Sequence, residues 1–249
     1  MRLTILGSGD AGGMPLYGCN CERCEFIRLN PKYKRRSASA LLEVNDKRYL
    51  IDAGLMDIAD RFPAPELDGI LLTHFHADHV QGLFHFRWGT GMKIPVYCPP
   101  DKAGCDDLFK HPGILEFQSL RKYEAFNLGE LKVTPLPLIH SKPTFGYLFE
   151  YKKQHIAYLV DTKNLPPKVE ELLKHKHLDT IVIDTSSPPD YGNRNHNNLH
   201  DTLSLHEKLN SSRTVMTHIG HDLDLWLNNS NNNLSENLVT GYDGYIAFP

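Results

Sequence analysis

An apolar strand that runs directly into a dense cluster of metal-binding side chains constrains this chain more than any other feature. In LLTHFHADHVQG, the run from Ile70 to Leu72 leads into His74, His76, Asp78 and His79. In extended backbone alternate side chains point the same way, so His74 and His76 can share one cation. Asp78 and His79 fall at the turn into the next helix, offset far enough to serve a second. A merely solvated loop would not concentrate histidine at paired-ligand spacing.

Three more candidates end apolar runs: His140 after PLPLI, Asp161 after IAYLV and His218 after TVMT. A lone histidine at a strand end is usually structural. Following the first cluster, these three complete two metal sites, and a carboxylate such as Asp161 can bridge two cations with its two oxygens. The five cysteines are an odd number, with Cys19, Cys21 and Cys24 crowded together. That spacing reads as a metal site in a reducing cytoplasm and not as a disulfide framework. Unliganded buried thiols are the alternative, and Cys98 and Cys105 read as packing residues.

The order H-x-H-x-D-H followed by His140, Asp161 and His218 resembles the metallo-β-lactamase superfamily, and LIDAG, with Asp52 at a strand end, is similar to its first motif. The resemblance implies a four-layer αβ/βα sandwich, one domain over residues 1–249, with metals at strand ends along one edge of the paired sheets. It implies one ion on His74, His76 and His140 and another on Asp78, His79 and His218, with Asp161 bridging. Asp52 would orient ligands from behind. GCNCERC and THIGH narrow the resemblance to the PhnP phosphodiesterases, whose additional zinc is held by three cysteines and a histidine. The counterparts are Cys19, Cys21, Cys24 and His221, a chemically sensible closed tetrahedral zinc set. GCDDLFKHPG, HSKPTFGYL, the SPP of DTSSPP, and RNH also look like that family. His196, within RNH, would be its non-ligand catalytic histidine, although His200 and His206 could serve the same role.

Pattern alone gives only mixed α/β. Strands are expected at 3–6, 40–44, 49–51, 69–72, 95–97, 131–133, 146–150, 156–160, 180–183 and 214–216. Helices are expected at 80–86, 168–174 and 199–209, and a surface loop over the asparagine-rich 228–233. GSGDAG, Gly7 to Gly12, matches a dinucleotide fingerprint. That fingerprint needs a helix starting at the loop, whereas Gly13, Pro15 and the cysteines follow. The glycines fit a tight turn near the metal centre or substrate better.

No apolar run reaches the roughly 18 to 20 residues needed to cross a bilayer, and the apolar stretch in MRLTILGSG is too short for a signal-peptide core. The expected location is the cytoplasm. A formal net charge of −3 provides no global field for a long polyanion. The expected partner is a small phosphorylated sugar, with no nucleic acid or membrane, and with a homodimer among the assemblies left open.

By resemblance, the chain would hydrolyse 5-phosphoribosyl 1,2-cyclic phosphate to ribose 1,5-bisphosphate in the carbon-phosphorus lyase pathway of phosphonate breakdown. Two cations would lower the pKa of a water to near neutrality for attack on phosphorus, and His196 would protonate the departing alkoxide. Imidazole and carboxylate donors accept manganese, iron or zinc; the resemblance favours manganese for the pair. Lys142, beside His140, is a candidate for gripping the sugar phosphate, with a solvated lysine as the equal alternative. Rival readings are an RNA-processing phosphodiesterase, disfavoured by charge and the lack of a basic insertion, and a lactone or thioester hydrolase. A PqqB-like metal-binding or carrier protein is the non-enzymatic rival. The intact seven-residue dinuclear set speaks against it.

Overall fold

Alternating apolar residues divide the central strands between two cores. Tyr49, Ile51 and Leu71 face one buried cluster while Leu50, Ile70 and Leu72 face another. Further along, Ile156, Tyr158 and Val160 join the first cluster, whereas Ala157 and Leu159 join a third. Strands buried on both faces read as near-continuous apolar runs, and side-chain alternation decides which layer each residue fills.

A computed structural model describes residues 1–192, 194–209, 211–229 and 234–248. The strands of the first sheet are β1 (Arg2–Gly7), β2 (Ser39–Val44), β3 (Lys47–Ile51), β4 (Gly69–Leu71), β5 (Ile94–Cys98) and β6 (Leu115–Ser119). The second contains β7 (Phe126–Leu128), β8 (Leu131–Pro137), β9 (Phe145–Tyr151), β10 (Gln154–Leu159), β11 (Thr180–Asp184), β12 (Thr214–Thr217) and β13 (Leu238–Thr240). The chain then returns as β14 (Ile246–Phe248) beside β1, giving sheet orders β14-β1-β2-β3-β4-β5-β6 and β13-β12-β11-β10-β9-β8-β7. β3 to β6 run parallel, as do β10 to β13.

The core between the sheets includes Leu3, Leu42, Tyr147, Phe149 and Tyr158. On the far side of the first sheet pack α2 (Ile58–Arg61), α3 (Ala77–Val80), α4 (Leu83–Phe86) and α5 (Asp106–Lys110). The second sheet is covered by α6 (Pro167–Lys174) and α7 (Leu199–Leu209), with α8 (His221–Leu227) beside α7. These are the expected four layers. α1 (Glu22–Leu29) carries Cys24 and Ile27 into a small separate cluster with Met14.

The helix expected over 80–86 is instead two short helices, α3 and α4, starting earlier and interrupted at Gln81 and Gly82. A Cβ on Gly82 would lie 2.3 Å from the Leu55 carbonyl oxygen, and the Gly82 amide donates to Ala53 at 2.8 Å. This close backbone approach to the loop after β3 bends the segment. The glycine-rich loop after β1 opens no helix; α1 starts only at Glu22. Asn228 and Asn229 follow α8, while the rest of the asparagine-rich stretch, 230–233, lies outside the described residues.

Candidate metal centre

The carboxyl ends of parallel strands deliver the site, as open α/β sheets generally do. His74 follows β4, and His76 is the extended residue before α3, whose first turn holds Asp78 and His79. Asp161 follows β10, Asp184 ends β11 and His218 follows β12, while the loop after β8 contributes His140. Asp52 and His218 both have positive φ, 56° and 57°. Non-glycine residues hold this conformation at a cost and cluster at functional sites.

Two donor triads result, His74–His76–His140 and Asp78–His79–His218, each with its donor atoms within 4.8 Å of one another. Asp161 lies between them. Its Oδ2 is 3.8 Å from His74 Nε2 and 3.9 Å from His140 Nε2 on one side, and 3.2 Å from His79 Nε2 and 3.3 Å from His218 Nε2 on the other.

The surrounding hydrogen bonds set which imidazole nitrogen faces this space. A carboxylate only accepts, so His79 Nδ1–H donates to Asp52 Oδ2 at 2.8 Å. The Thr73 hydroxyl donates to the same Oδ2 and therefore accepts from His74 Nδ1–H at 3.0 Å. Ser186 Oγ donates to Asp184 and accepts from His218 Nδ1–H at 3.0 Å. His140 Nδ1–H donates to the Asn195 carbonyl at 3.1 Å. All four rings thus turn Nε2 inward.

The residues fit a pair of cations. Among the described residues, His79 Nε2, His218 Nε2 and Asp161 Oδ1 are buried without a hydrogen-bond partner, a costly arrangement unless another group satisfies them. His76 Nδ1 lies 2.8 Å from His74 Nε2 and 3.1 Å from His140 Nε2. With hydrogens held on the far nitrogens of His74 and His140, their two inward lone pairs share a single possible donor, His76 Nδ1–H, whereas one cation would take all three nitrogens at once.

Electrostatics agree. Burial disfavours charge on His218, but Asp161, Asp78 and Asp184 outweigh it and raise the ring's pKa to about 9. Burial likewise opposes protonation of His79, yet Asp161 and Asp52 hold it well above the usual range. Burial, reinforced by His79, holds His74 well below that range. Carboxylates that attract protons to His79 and His218 attract a metal cation equally, with release of those protons.

A cavity of about 350 Å³ opens beside this cluster, lined by Asp10, Ser186, Tyr191, His196, His218 and Gly220 among others. His196 Nδ1–H donates to Asp184 Oδ2 at 2.8 Å. Burial works against its protonation, but Asp184 outweighs it and raises the pKa above 6.5. Asp184 also accepts from the Thr162 amide and Ser186 Oγ, so it fixes His196 and His218 together. His200 lies outside, largely exposed near Asp190, and His206 bonds Thr214. Lys142 is 3.5 Å from Asp101 and lines a different cavity with Arg121 and Lys122. Asp184 and Asp10 were not foreseen. Asp184 repeats the signal that marked Asp161, an acid closing an apolar run, TIVID.

A second cluster joins Cys19, Cys21, Cys24 and His221, whose donor atoms also lie within 4.8 Å. His221 Nε2 is 3.4 Å from Cys19 Sγ and 3.5 Å from Cys21 Sγ. A backbone bond from Cys24 and the neighbouring His221 draw the Cys21 thiol down to about 6, while burial lifts Cys24 to about 11. Three thiols and an imidazole converging across some 200 residues of sequence suit a tetrahedral zinc.

A beta-lactamase superfamily domain matches residues 47–219, well over half the chain. The chain therefore belongs to the metallo-β-lactamase superfamily, with a hydrolase-like fold and His/Asp clusters that could bind metal. It is similar to a solved diphosphatase from the PhnP family, at 30% identity and TM-score 0.83, covering 99% of this chain and 96% of that one. The fold is shared with zinc-bound PqqB from Methylobacterium extorquens, at 19% identity and TM-score 0.80 over 99% of each chain. In sequence, 99% of the chain is 28% identical to an octanoyltransferase of Porphyromonas gingivalis strain ATCC BAA-308 / W83, spanning about half (51%) of that relative's length. Among the described residues no helix is long and apolar enough to cross a membrane.

Proposed function

We propose that this protein is a PhnP-type phosphodiesterase that opens the cyclic phosphate of 5-phosphoribosyl 1,2-cyclic phosphate to ribose 1,5-bisphosphate during phosphonate breakdown in the cytoplasm. The observation that carries the reading is the His196–Asp184 pair, facing a small cavity beside two donor triads that share Asp161. One ion would sit on His74, His76 and His140 and the other on Asp78, His79 and His218, with Asp161 between. Manganese is proposed for the pair, zinc for Cys19, Cys21, Cys24 and His221. When bound, such a pair supplies Lewis acidity and makes water nucleophilic near neutral pH.

The chain's own residues do the rest. Asp52 and Thr73 lock the His79 and His74 rings, and Asp184 with Ser186 locks His218. Asp184 favours the protonated form of His196 beside the cavity, from where the ring would hand its proton to the departing alkoxide oxygen, a step worth roughly 10² to 10⁴-fold. A compact cavity suits a sugar phosphate. A net charge of −3 speaks against a long RNA.

The octanoyltransferase relative motivates acyl chemistry as the second reading. Turnover of the cyclic ribosyl phosphate, bis(nitrophenyl) phosphate, an octanoyl thioester, a lactone and precursor tRNA by the metal-loaded protein separates them. Preference for the cyclic phosphate is expected; faster turnover of the thioester or lactone, with no diesterase activity, would overturn the reading.

A further inference from the structure

The catalytic cavity contains a carboxylate that the chemistry above does not use. Asp10, half-buried in the loop after β1, lines the same wall as His196, His218 and Gly220. Its Oδ1 accepts the Gly12 and Gly13 amides, both at 3.0 Å, which fixes the side chain. Among the described residues its Oδ2 accepts no hydrogen bond. Gly220 leaves this oxygen its room, since a Cβ there would come within 2.9 Å of it. The result is a rigid acceptor with one oxygen committed to the turn and the other offered to the cavity.

We infer that Asp10 is a specificity-determining residue, gripping a hydroxyl on the leaving side of the substrate. This rests on the phosphodiesterase reading, because it is His196, on the same wall, that marks the side from which the alkoxide departs. A carboxylate accepts strongly from a hydroxyl. A site built to bond a hydroxyl rejects the analogue that lacks it, because its buried acceptor is then left without a partner. In a ribosyl 1,2-cyclic phosphate the neighbouring 3-hydroxyl is the donor of this kind.

The test compares kcat/KM for a ribosyl 1,2-cyclic phosphate and its 3-deoxy counterpart in the manganese-loaded wild type, Asp10→Asn and Asp10→Ala, with bis(nitrophenyl) phosphate as a third substrate. Asn keeps its amide oxygen on Gly12 and Gly13 and so preserves the turn, while placing an NH₂ where Oδ2 stands. Wild type should prefer the hydroxylated substrate, and that preference should shrink roughly 10- to 100-fold in Asp10→Ala and in the same direction in Asp10→Asn. Calorimetric binding of the monoester product should weaken in the same order. No wild-type preference, or a preference surviving in Asp10→Asn with unchanged product binding, overturns the role of Asp10. Failure of wild type on every diester, nitrophenyl included, overturns the phosphodiesterase reading itself.

Discussion

Asp52→Asn should separate the two halves of the metal centre. Asp52 is fully buried, and its carboxylate accepts the Thr73 amide, the Thr73 hydroxyl and His79 Nδ1–H, each at 2.8 Å. An amide of nearly the same shape retains one acceptor for Thr73 but presents NH₂ donors toward His79 Nδ1. The ring then takes its hydrogen on Nε2, the atom aimed at Asp78, Asp161 and His218. Losing charge-assisted bonds of this kind costs about 1.5–3 kcal/mol each where no substitute forms. Outer partners of ligating histidines are typically worth about 10–100-fold in metal affinity. Metal content titrated against a competing chelator should therefore show about one ion per chain weakened by that factor. The other, on His74, His76 and His140, should be perturbed less, since Asp52 reaches it only through the Thr73 hydroxyl on His74, and His140 keeps its own partner, the Asn195 carbonyl. Undiminished affinity for both ions, at normal thermal stability, would refute this account of the ring locks.

His196→Ala should keep its metals and fold and lose roughly 10² to 10⁴-fold on an alkyl or ribosyl diester, but far less on a nitrophenyl diester, whose leaving group needs no proton; equal losses would argue for a binding role. Because Asp184 raises the pKa of His196 above 6.5 and the acid form donates, kcat on an alkyl diester should fall as pH climbs through that higher value. Asp184→Asn should move this limb to lower pH, and a limb unmoved by the substitution would assign it elsewhere. Asp161→Ala, which removes the oxygen lying between both triads, should lower occupancy of both ions and abolish turnover; full metal content with activity would remove it from the centre. Cys21→Ala should release a tightly held zinc and destabilise the fold more than it slows chemistry, and unchanged zinc content and melting temperature would count against that site.

All ten strands read from the sequence are present, and the four that escaped it, β6, β7, β13 and β14, are the four sheet edges. An edge strand pairs on one side only and needs less apolar surface. LEFQS in β6 has one buried residue, whereas TIVID in β11 is buried throughout. α3 and α4 merged in the reading because the approach of Gly82 to the loop after β3 is a tertiary contact without local trace. In the candidate site, the motif spacing suggested the groups that the fold brings together, since ligand-type residues at strand ends contrast with the apolar runs before them. Asp10 was hidden inside a glycine-rich loop whose residues read as turn formers, and its cavity exists only once β12 and the segment after β11 come alongside. Lys142 was proposed by adjacency to His140, but adjacency in sequence does not fix direction, and its ammonium faces Asp101.

The most direct test is to strip labile metal from the protein, leaving tightly held zinc in place, and to titrate manganese back while following hydrolysis of 5-phosphoribosyl 1,2-cyclic phosphate. The two triads sharing Asp161 predict negligible activity at the start and a rise that saturates near two added ions per chain. Full activity in the stripped protein, or none at any metal loading, would contradict a dinuclear phosphodiesterase.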